Sequence, residues 1–166
     1  MNLSYQQFLP SDFAPSSRVW IYQSSRLFSI SEALQIEEIL ENFVADWKAH
    51  GAGVKGYANL LFGQFLVLIA DETTTHVSGC STDSSVRMVK KIEELFNVNM
   101  FDRQSLAFFV KEKVEIIPMQ QVKYALQNGF ITPDTLYFNN LVSTKEQLEN
   151  EWIIPVSRSW ITRLYA

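Results

Sequence analysis

The residues best suited to chemistry lie in one polar stretch that follows an apolar run in the middle of the chain. Cys80 is the only cysteine among 166 residues, and it stands just before a segment with helical periodicity. The free N–H groups and partial positive charge of a helix N-terminus favour anions and lower the pKa of a nearby thiol. The stretch therefore predicts an anion site or an activated cysteine. Its candidate ligand-binding residues are Gly79, Ser81, Thr82, Ser84 and Ser85.

A nucleophilic thiol also needs a base and an acid to assist it. The chain has two histidines, so the candidate catalytic set is Cys80 with His50 and Asp83. The competing interpretation is structural. In it, Ser81 or Asp83 caps the helix, Cys80 is a small buried residue, and His50 is a cation at the end of the preceding helix.

Two further places hold polar residues that could line a pocket. Asp102 and Arg103 stand together before an apolar strand, and Asn139 and Asn140 stand among apolar residues. We include all four in the candidate ligand-binding set. The alternatives are a surface turn with an ion pair for the first two and turn caps for the two amides.

Other kinds of site are excluded by what their chemistry requires. A zinc site needs four ligands, and His76, Cys80 and the nearby carboxylates have no recognised spacing, so no metal and no cofactor is predicted. Residues 66–72 match the apolar run and the acids of a Walker B strand. The phosphate-binding sequence G-x-x-x-x-G-K-[ST] does not occur in the chain, where no glycine precedes a lysine. ATP hydrolysis of the P-loop kind is therefore excluded.

The composition limits which classes of partner and which cellular compartment are compatible with the chain. The net charge is −4 and the pI about 5.2, which argues against nucleic acid and anionic membranes because both attract a basic face. No apolar run reaches bilayer-spanning length, and the N-terminus does not read as a signal peptide. A single cysteine suits a reducing compartment. We predict a soluble cytoplasmic protein whose partner is a small anion or another protein.

The elements that position these residues follow from periodicity. Apolar runs predict strands at 18–23, 54–62, 65–70 and 106–110, with the middle two joined by a type II′ turn at Gly63 and Gln64. A capping box of Ser29 and Glu32 opens a first long helix, and the polar stretch opens a second that ends at Asn97 or Asn99.

The order strand, helix, strand, strand, helix, strand is that of a ferredoxin-like fold. It predicts an α+β protein with one antiparallel βαββαβ sheet and both long helices on one face. Residues 1–17 are expected to form an irregular arm, and residues 18–166 a single domain with a C-terminal α/β extension.

Several segments resemble, in this order, a family of small uncharacterised bacterial proteins of near this length. The segments are SRVWIYQ, WKAHG, GCSTDSSV, LFNVNMFDR, FNNLV and SRSW. Members often carry the name "ABC transporter ATPase", although this chain has neither a Walker A loop nor an L-S-G-G-Q signature. The resemblance implies no activity. It marks as characteristic Trp47, His50, Gly79, Cys80, Asp83, Asp102, Arg103, Asn139 and Asn140.

Two hypotheses of function follow from these residues. The first is a ligand-binding or protein-interaction module, in which the free face of the sheet is covered by the C-terminal segment or by a second copy in a homodimer. The second is a small enzyme that uses Cys80 at the helix N-terminus.

Overall fold

The strands form two sheets, the first from the N-terminal part of the chain and the second from the C-terminal part. The structure, a computed structural model, describes residues 1–49 and 53–165, and at Ala49 and Cys80 it describes the backbone but not the side chain. The strands are β1 (Arg18–Gln23), β2 (Lys55–Leu61), β3 (Phe65–Asp71), β4 (Ser105–Val110), β5 (Lys113–Pro118), β6 (Leu136–Phe138) and β7 (Ile153–Pro155). The α-helices are α1 (Ile30–Ala49), α2 (Gly79–Phe96), α3 (Val122–Gln127) and α4 (Lys145–Glu151).

The first sheet contains three strands in the order β1-β3-β2, all antiparallel to their neighbours. Every residue of β3 is buried, as expected for a run that has apolar side chains on both faces. The turn between β2 and β3 differs from the type II′ turn predicted from the sequence. Phe62 and Gly63 both have positive φ, which is the pattern of a type I′ turn.

The second sheet contains four strands in the order β5-β4-β6-β7, again antiparallel. It packs on one face of the first sheet, where Phe65 of β3 stacks on Phe138 of β6 with ring centroids 4.6 Å apart. The opposite face of the first sheet is covered by α1 and α2, and the outer face of the second sheet by α3 and the C-terminal segment. The core of the protein therefore forms three apolar layers.

The α+β class predicted from the sequence is confirmed, but the strand order departs from a single ferredoxin-like sheet. Strands β1, β3 and β2 are arranged as in that fold, whereas β4 belongs to the second sheet. The edge of β1 where β4 was expected is occupied by another segment. Ser143 accepts a hydrogen bond from the N–H of Val19 at 3.0 Å, and Thr144 forms a bridge with Arg18.

The two long helices are set by local signals. Ser29 and Glu32 exchange the two hydrogen bonds of a capping box at the start of α1, as predicted. Helix α2 begins earlier than predicted. Its N-cap is Ser78, whose side chain accepts from the N–H of Ser81, so the prediction of a cap at Ser81 or Asp83 is wrong. Asn97 ends α2 with a positive φ, as the sequence indicated.

The N-terminal residues 1–17 contain one short 3-10 helix, Gln6–Phe8, and no strand. Tyr5, Leu9 and Phe13 nevertheless lie buried in the core between the two sheets. This segment therefore contributes to the hydrophobic core, although it lacks regular structure.

Candidate functional site

A cavity of about 320 Å³ opens where β1, the loop between α2 and β4, and the segment after β6 meet. We call it the inter-sheet pocket. Its wall is largely apolar and aromatic with a few polar groups, which is the composition of sites that take small molecules. The apolar part includes Ile21, Met100, Phe101, Leu106, Met119 and Leu141, and the polar part Gln23, Asp102, Arg103, Ser105 and Asn140.

The loop before β4 is held by its own side chains. The side-chain oxygen of Asn99 accepts from the N–H groups of Phe101 and Asp102 at 2.9 and 3.0 Å. Asn99 is itself tied to the segment after β1, since its N–H donates to the Ser25 hydroxyl at 3.0 Å. The loop therefore presents the side chains of residues 101–103 from a defined backbone.

Asp102 uses its carboxylate to support this loop. One oxygen accepts from the N–H of Gln104 at 2.8 Å, and the other accepts from the Ser105 hydroxyl at 2.7 Å. The Ser105 hydroxyl and the Gln104 amide together lower the pKa of the Asp102 carboxyl, because both stabilise its charged form. Asp102 is therefore charged near neutral pH.

Arg103 differs from its neighbour because its charge is not used by the loop. Its side chain is exposed, and no carboxylate of residues 1–49 or 53–165 forms an ion pair with it. Its charge acts on Tyr22 across the pocket. Burial raises the pKa of Tyr22, and both Ser85 and the Arg103 cation offset part of that rise. The guanidinium thus remains open to a ligand at the mouth.

A relay of amides fixes the polar wall of the pocket. The indole N–H of Trp152 donates to Asn140 Oδ1 at 3.0 Å, and Asn140 Nδ2 donates to Gln23 Oε1 at 2.9 Å. Gln23 Nε2 then donates to the backbone carbonyl of Ser105 at 3.0 Å. Each amide group carries two N–H donors, so with respect to residues 1–49 and 53–165 a second donor remains on both Asn140 and Gln23.

The aromatic wall has two pairs of rings. Tyr22 and Phe101 meet edge to face at 5.4 Å, and Tyr137 and Trp160 at 6.4 Å. The Trp160 indole N–H donates to the Tyr137 hydroxyl at 3.0 Å. Burial raises the pKa of Tyr137, so its hydroxyl keeps its proton at neutral pH and can donate to a ligand.

The structure brings together some of the residues named from the sequence and separates others. Asp102, Arg103 and Asn140 all line the inter-sheet pocket. Asn139 lines a neighbouring cavity together with Arg158 and Gln147. His50 lies outside the described residues, and the side chain of Cys80 is not described, so the catalytic set of Cys80, His50 and Asp83 stays a prediction.

The polar stretch at the start of α2 is engaged with the helix itself. The Ser84 hydroxyl donates to the Ser81 carbonyl at 2.8 Å, and the Ser85 hydroxyl donates to the Thr82 carbonyl at 2.6 Å. The Ser81 carbonyl also accepts from the Trp47 indole at 3.1 Å, which joins α1 to α2. Asp83 is exposed to solvent. A Cβ at Gly79 would meet nothing within 4 Å, so the fold itself does not require glycine there.

Several pocket residues were not predicted from the sequence, above all Gln23, Tyr137 and Trp160. Gln23 is the last residue of an apolar strand and is only 8% exposed in the structure. A polar amide at the end of an apolar strand could have predicted a polar contact, because buried polar groups need hydrogen-bond partners. Tyr137 and Trp160 have no such signal, because aromatic residues mostly serve as core.

The described residues offer neither a cluster of metal ligands nor a membrane-spanning helix. Residues 1–49 and 53–165 contain no group of three or more histidine, cysteine, aspartate and glutamate side chains placed to bind a metal ion. None of the helices in that part of the chain combines the length and apolar character needed to cross a bilayer.

Fold and site together define an α+β protein of two packed antiparallel sheets with a pocket at their junction. No family model matches the chain, and neither a curated protein nor a solved structure matches it.

Proposed function

We propose that the protein is a binding module for a small molecule with a planar apolar body and an anionic group. The ligand occupies the inter-sheet pocket, with its body against the rings of Tyr22, Phe101 and Trp160 and its anionic group beside Arg103. The single cysteine favours a reducing compartment such as the cytoplasm as its place of action.

The observation that carries this proposal is the meeting of Arg103, Asn140 and an aromatic wall at one cavity. These residues come from separate parts of the chain, and the amide relay holds Asn140 in place before any ligand arrives. Such preorganisation lowers the entropy lost on binding. The negative charge of Asp102 is partly offset by the two hydrogen bonds that its carboxylate accepts. The positive charge of Arg103 is not offset in this way, so the mouth of the pocket favours an anion.

The test uses a matched pair of probes, 2-naphthoate and the neutral 2-naphthalenemethanol, titrated into the folded chain. Binding is followed by tryptophan fluorescence and by amide chemical shifts. We expect naphthoate to shift the resonances of residues 100–105 and 137–141. Arg103→Gln should weaken naphthoate binding about tenfold, as the loss of a charge-assisted hydrogen bond does.

Arg87→Gln provides the control, because Arg87 is exposed on α2 and the substitution removes the same charge. It should leave naphthoate binding unchanged. If neither probe shifts residues that line the pocket, the proposal is wrong. If Arg103→Gln and Arg87→Gln weaken binding equally, the anionic group is held by overall charge and not by this site.

A further inference from the structure

The free edge of the first sheet carries a second concave surface, which shares no lining residue with the inter-sheet pocket. Strand β2 is an outer strand, and α1 lies across the helix-side face of the sheet beside it. Between them runs a groove of about 770 Å³, which we call the β2 groove. Within the described residues, β2 forms its backbone ladder with β3 alone, so its outer edge is available for another strand.

One end of the β2 groove is apolar and exposed. Ile30 and Leu34 follow each other by one helical turn on α1 and are 83% and 62% exposed. Both line the groove, together with Ala58 and Leu60 of β2. Large apolar side chains that line an open groove commonly mark a binding surface.

The middle of the groove is acidic. Glu37 and Glu41 both line it, and both are exposed. They stand four residues apart on one helix, a spacing at which like charges repel and destabilise the helix. No cation in residues 1–49 or 53–165 forms an ion pair with either carboxylate. A basic group from outside would relieve this repulsion.

We propose that the β2 groove binds an extended segment of a partner protein in which every second side chain faces α1, first apolar ones and then basic ones. The segment adds to the edge of β2 through backbone hydrogen bonds. Side chains on one face of a strand recur every second residue. Those facing α1 are apolar beside Ile30 and Leu34 and basic beside Glu37 and Glu41.

A second copy of this chain fits the groove less well. A two-fold contact between identical surfaces places the same patch on both sides. The acidic pair lies in the middle of the α1 stripe, between Ile30 and Lys48, so a two-fold contact brings four carboxylates close together. Charge complementarity therefore favours a basic partner.

The probe for this proposal is the capped, fluorescein-labelled peptide Val-Thr-Val-Thr-Lys-Thr-Lys, used with its reversed sequence to allow either strand direction. Binding to the full chain is measured by fluorescence polarisation. We expect saturable binding that weakens at higher salt, because the contact with Glu37 and Glu41 is electrostatic and exposed. Replacing both lysines of the peptide by glutamate should abolish binding, and N-methylation of alternate peptide bonds should do the same.

On the protein, Glu37→Gln with Glu41→Gln is expected to weaken the peptide about tenfold. The matched control is Glu38→Gln with Asp46→Asn, which removes two exposed carboxylates of α1 that do not line the groove. Equal loss in both double variants overturns the proposal, as does equal affinity for the glutamate or the N-methylated peptide.

Sedimentation of the unlabelled chain tests whether the occupant is instead a second copy of the chain. A monomer at micromolar concentration supports the proposal. A dimer that Leu34→Lys converts to a monomer shows that a second copy covers the groove, and the basic partner is then wrong.

Discussion

The side-chain amide of Asn140 donates to Gln23 Oε1 at 2.9 Å, although 117 positions separate the two residues in the chain. Gln23 belongs to the first sheet, and Asn140 follows the second-sheet strand β6. Because Trp152 and Ser105 extend the contact on either side, the two sheets are joined at the rim of the inter-sheet pocket by directed hydrogen bonds as well as by apolar packing.

Loss of this relay should destabilise the whole fold. Asn140→Leu leaves the Trp152 indole N–H and Gln23 Oε1 without their partners, and an unsatisfied buried group costs about 1–3 kcal/mol. We expect the free energy of unfolding to fall by about 2 kcal/mol in urea titrations. Asn150→Leu, at an exposed amide of α4, is the control and should change it by less than about 0.5 kcal/mol.

A double-mutant cycle then tests whether the amides act as a unit. The loss in Gln23→Leu with Asn140→Leu should be smaller than the sum of the two single losses by about 0.5–3 kcal/mol. Strictly additive losses contradict a direct interaction.

Two glycines should respond in opposite ways to the same substitution. A Cβ at Gly56 would lie 2.5 Å from Cε3 of the Trp47 ring, so Gly56→Ala forces that buried indole to move. Overpacking of this kind destabilises by about 1–3 kcal/mol. At Gly79 a Cβ meets nothing within 4 Å, so Gly79→Ala should leave stability unchanged or raise it by up to about 1 kcal/mol. Thermal and urea unfolding of both variants would measure the difference, and similar losses in both contradict it.

Asp71 should give the fold an acid-sensitive contribution. Its carboxylate accepts from the hydroxyl and N–H of Thr73 and from the N–H of Ala14, and these bonds lower its pKa to about 2. The folded pKa lies below the unfolded value of about 3.9. The contribution is therefore complete above about pH 5 and is lost as the pH falls towards 2.

The variant Asp71→Asn tests this dependence by urea unfolding at several pH values. The difference in stability from the parent protein should be largest near pH 7 and shrink between about pH 5 and pH 2. Asp12→Asn is the matched control, because Asp12 lies 3.5 Å from Lys55 but its side chain is 76% exposed. A difference for Asp71→Asn that is constant with pH would contradict the assigned cause.

The start of α2 is open to a direct test of its cap. Ser78→Ala removes the acceptor for the Ser81 N–H and should destabilise the protein by about 1 kcal/mol, whereas Ser78→Asp should retain most of the stability. Asp83→Ala is expected to change stability by less than about 0.5 kcal/mol, because the cap lies five positions earlier in the chain. A larger loss in Asp83→Ala than in Ser78→Ala would restore the cap that was predicted from the sequence.

Features that depend on neighbouring residues could be predicted from the sequence. The capping box of Ser29 and Glu32 and the left-handed stop at Asn97 are both present as expected. The apolar run of β3 correctly indicated a strand covered on both faces. Each of these features depends on residues that are close together in the chain, within one turn of a helix or within one strand.

The candidate site was predicted only in part. Asp102, Arg103 and Asn140 were named as ligand-binding residues and line one cavity. Most of the predicted ligand-binding residues lie in the polar stretch at the start of α2. There, the hydroxyls of Ser84 and Ser85 donate hydrogen bonds to carbonyls of their own helix. Serine and threonine at a helix start look the same in sequence whether they bind a ligand or cap the helix.

The sequence predicts four of the strands and both long helices, because helical and strand periodicity report which side chains are buried. It did not determine what those faces are buried against. The pairing of β4 with β5 and β6 depends on contacts between distant segments, because the chain near Ser143 occupies the edge of β1. The inter-sheet pocket lies at the junction that this pairing creates. No local sequence pattern predicts the pairing, because it depends on which distant segments compete for the same strand edge.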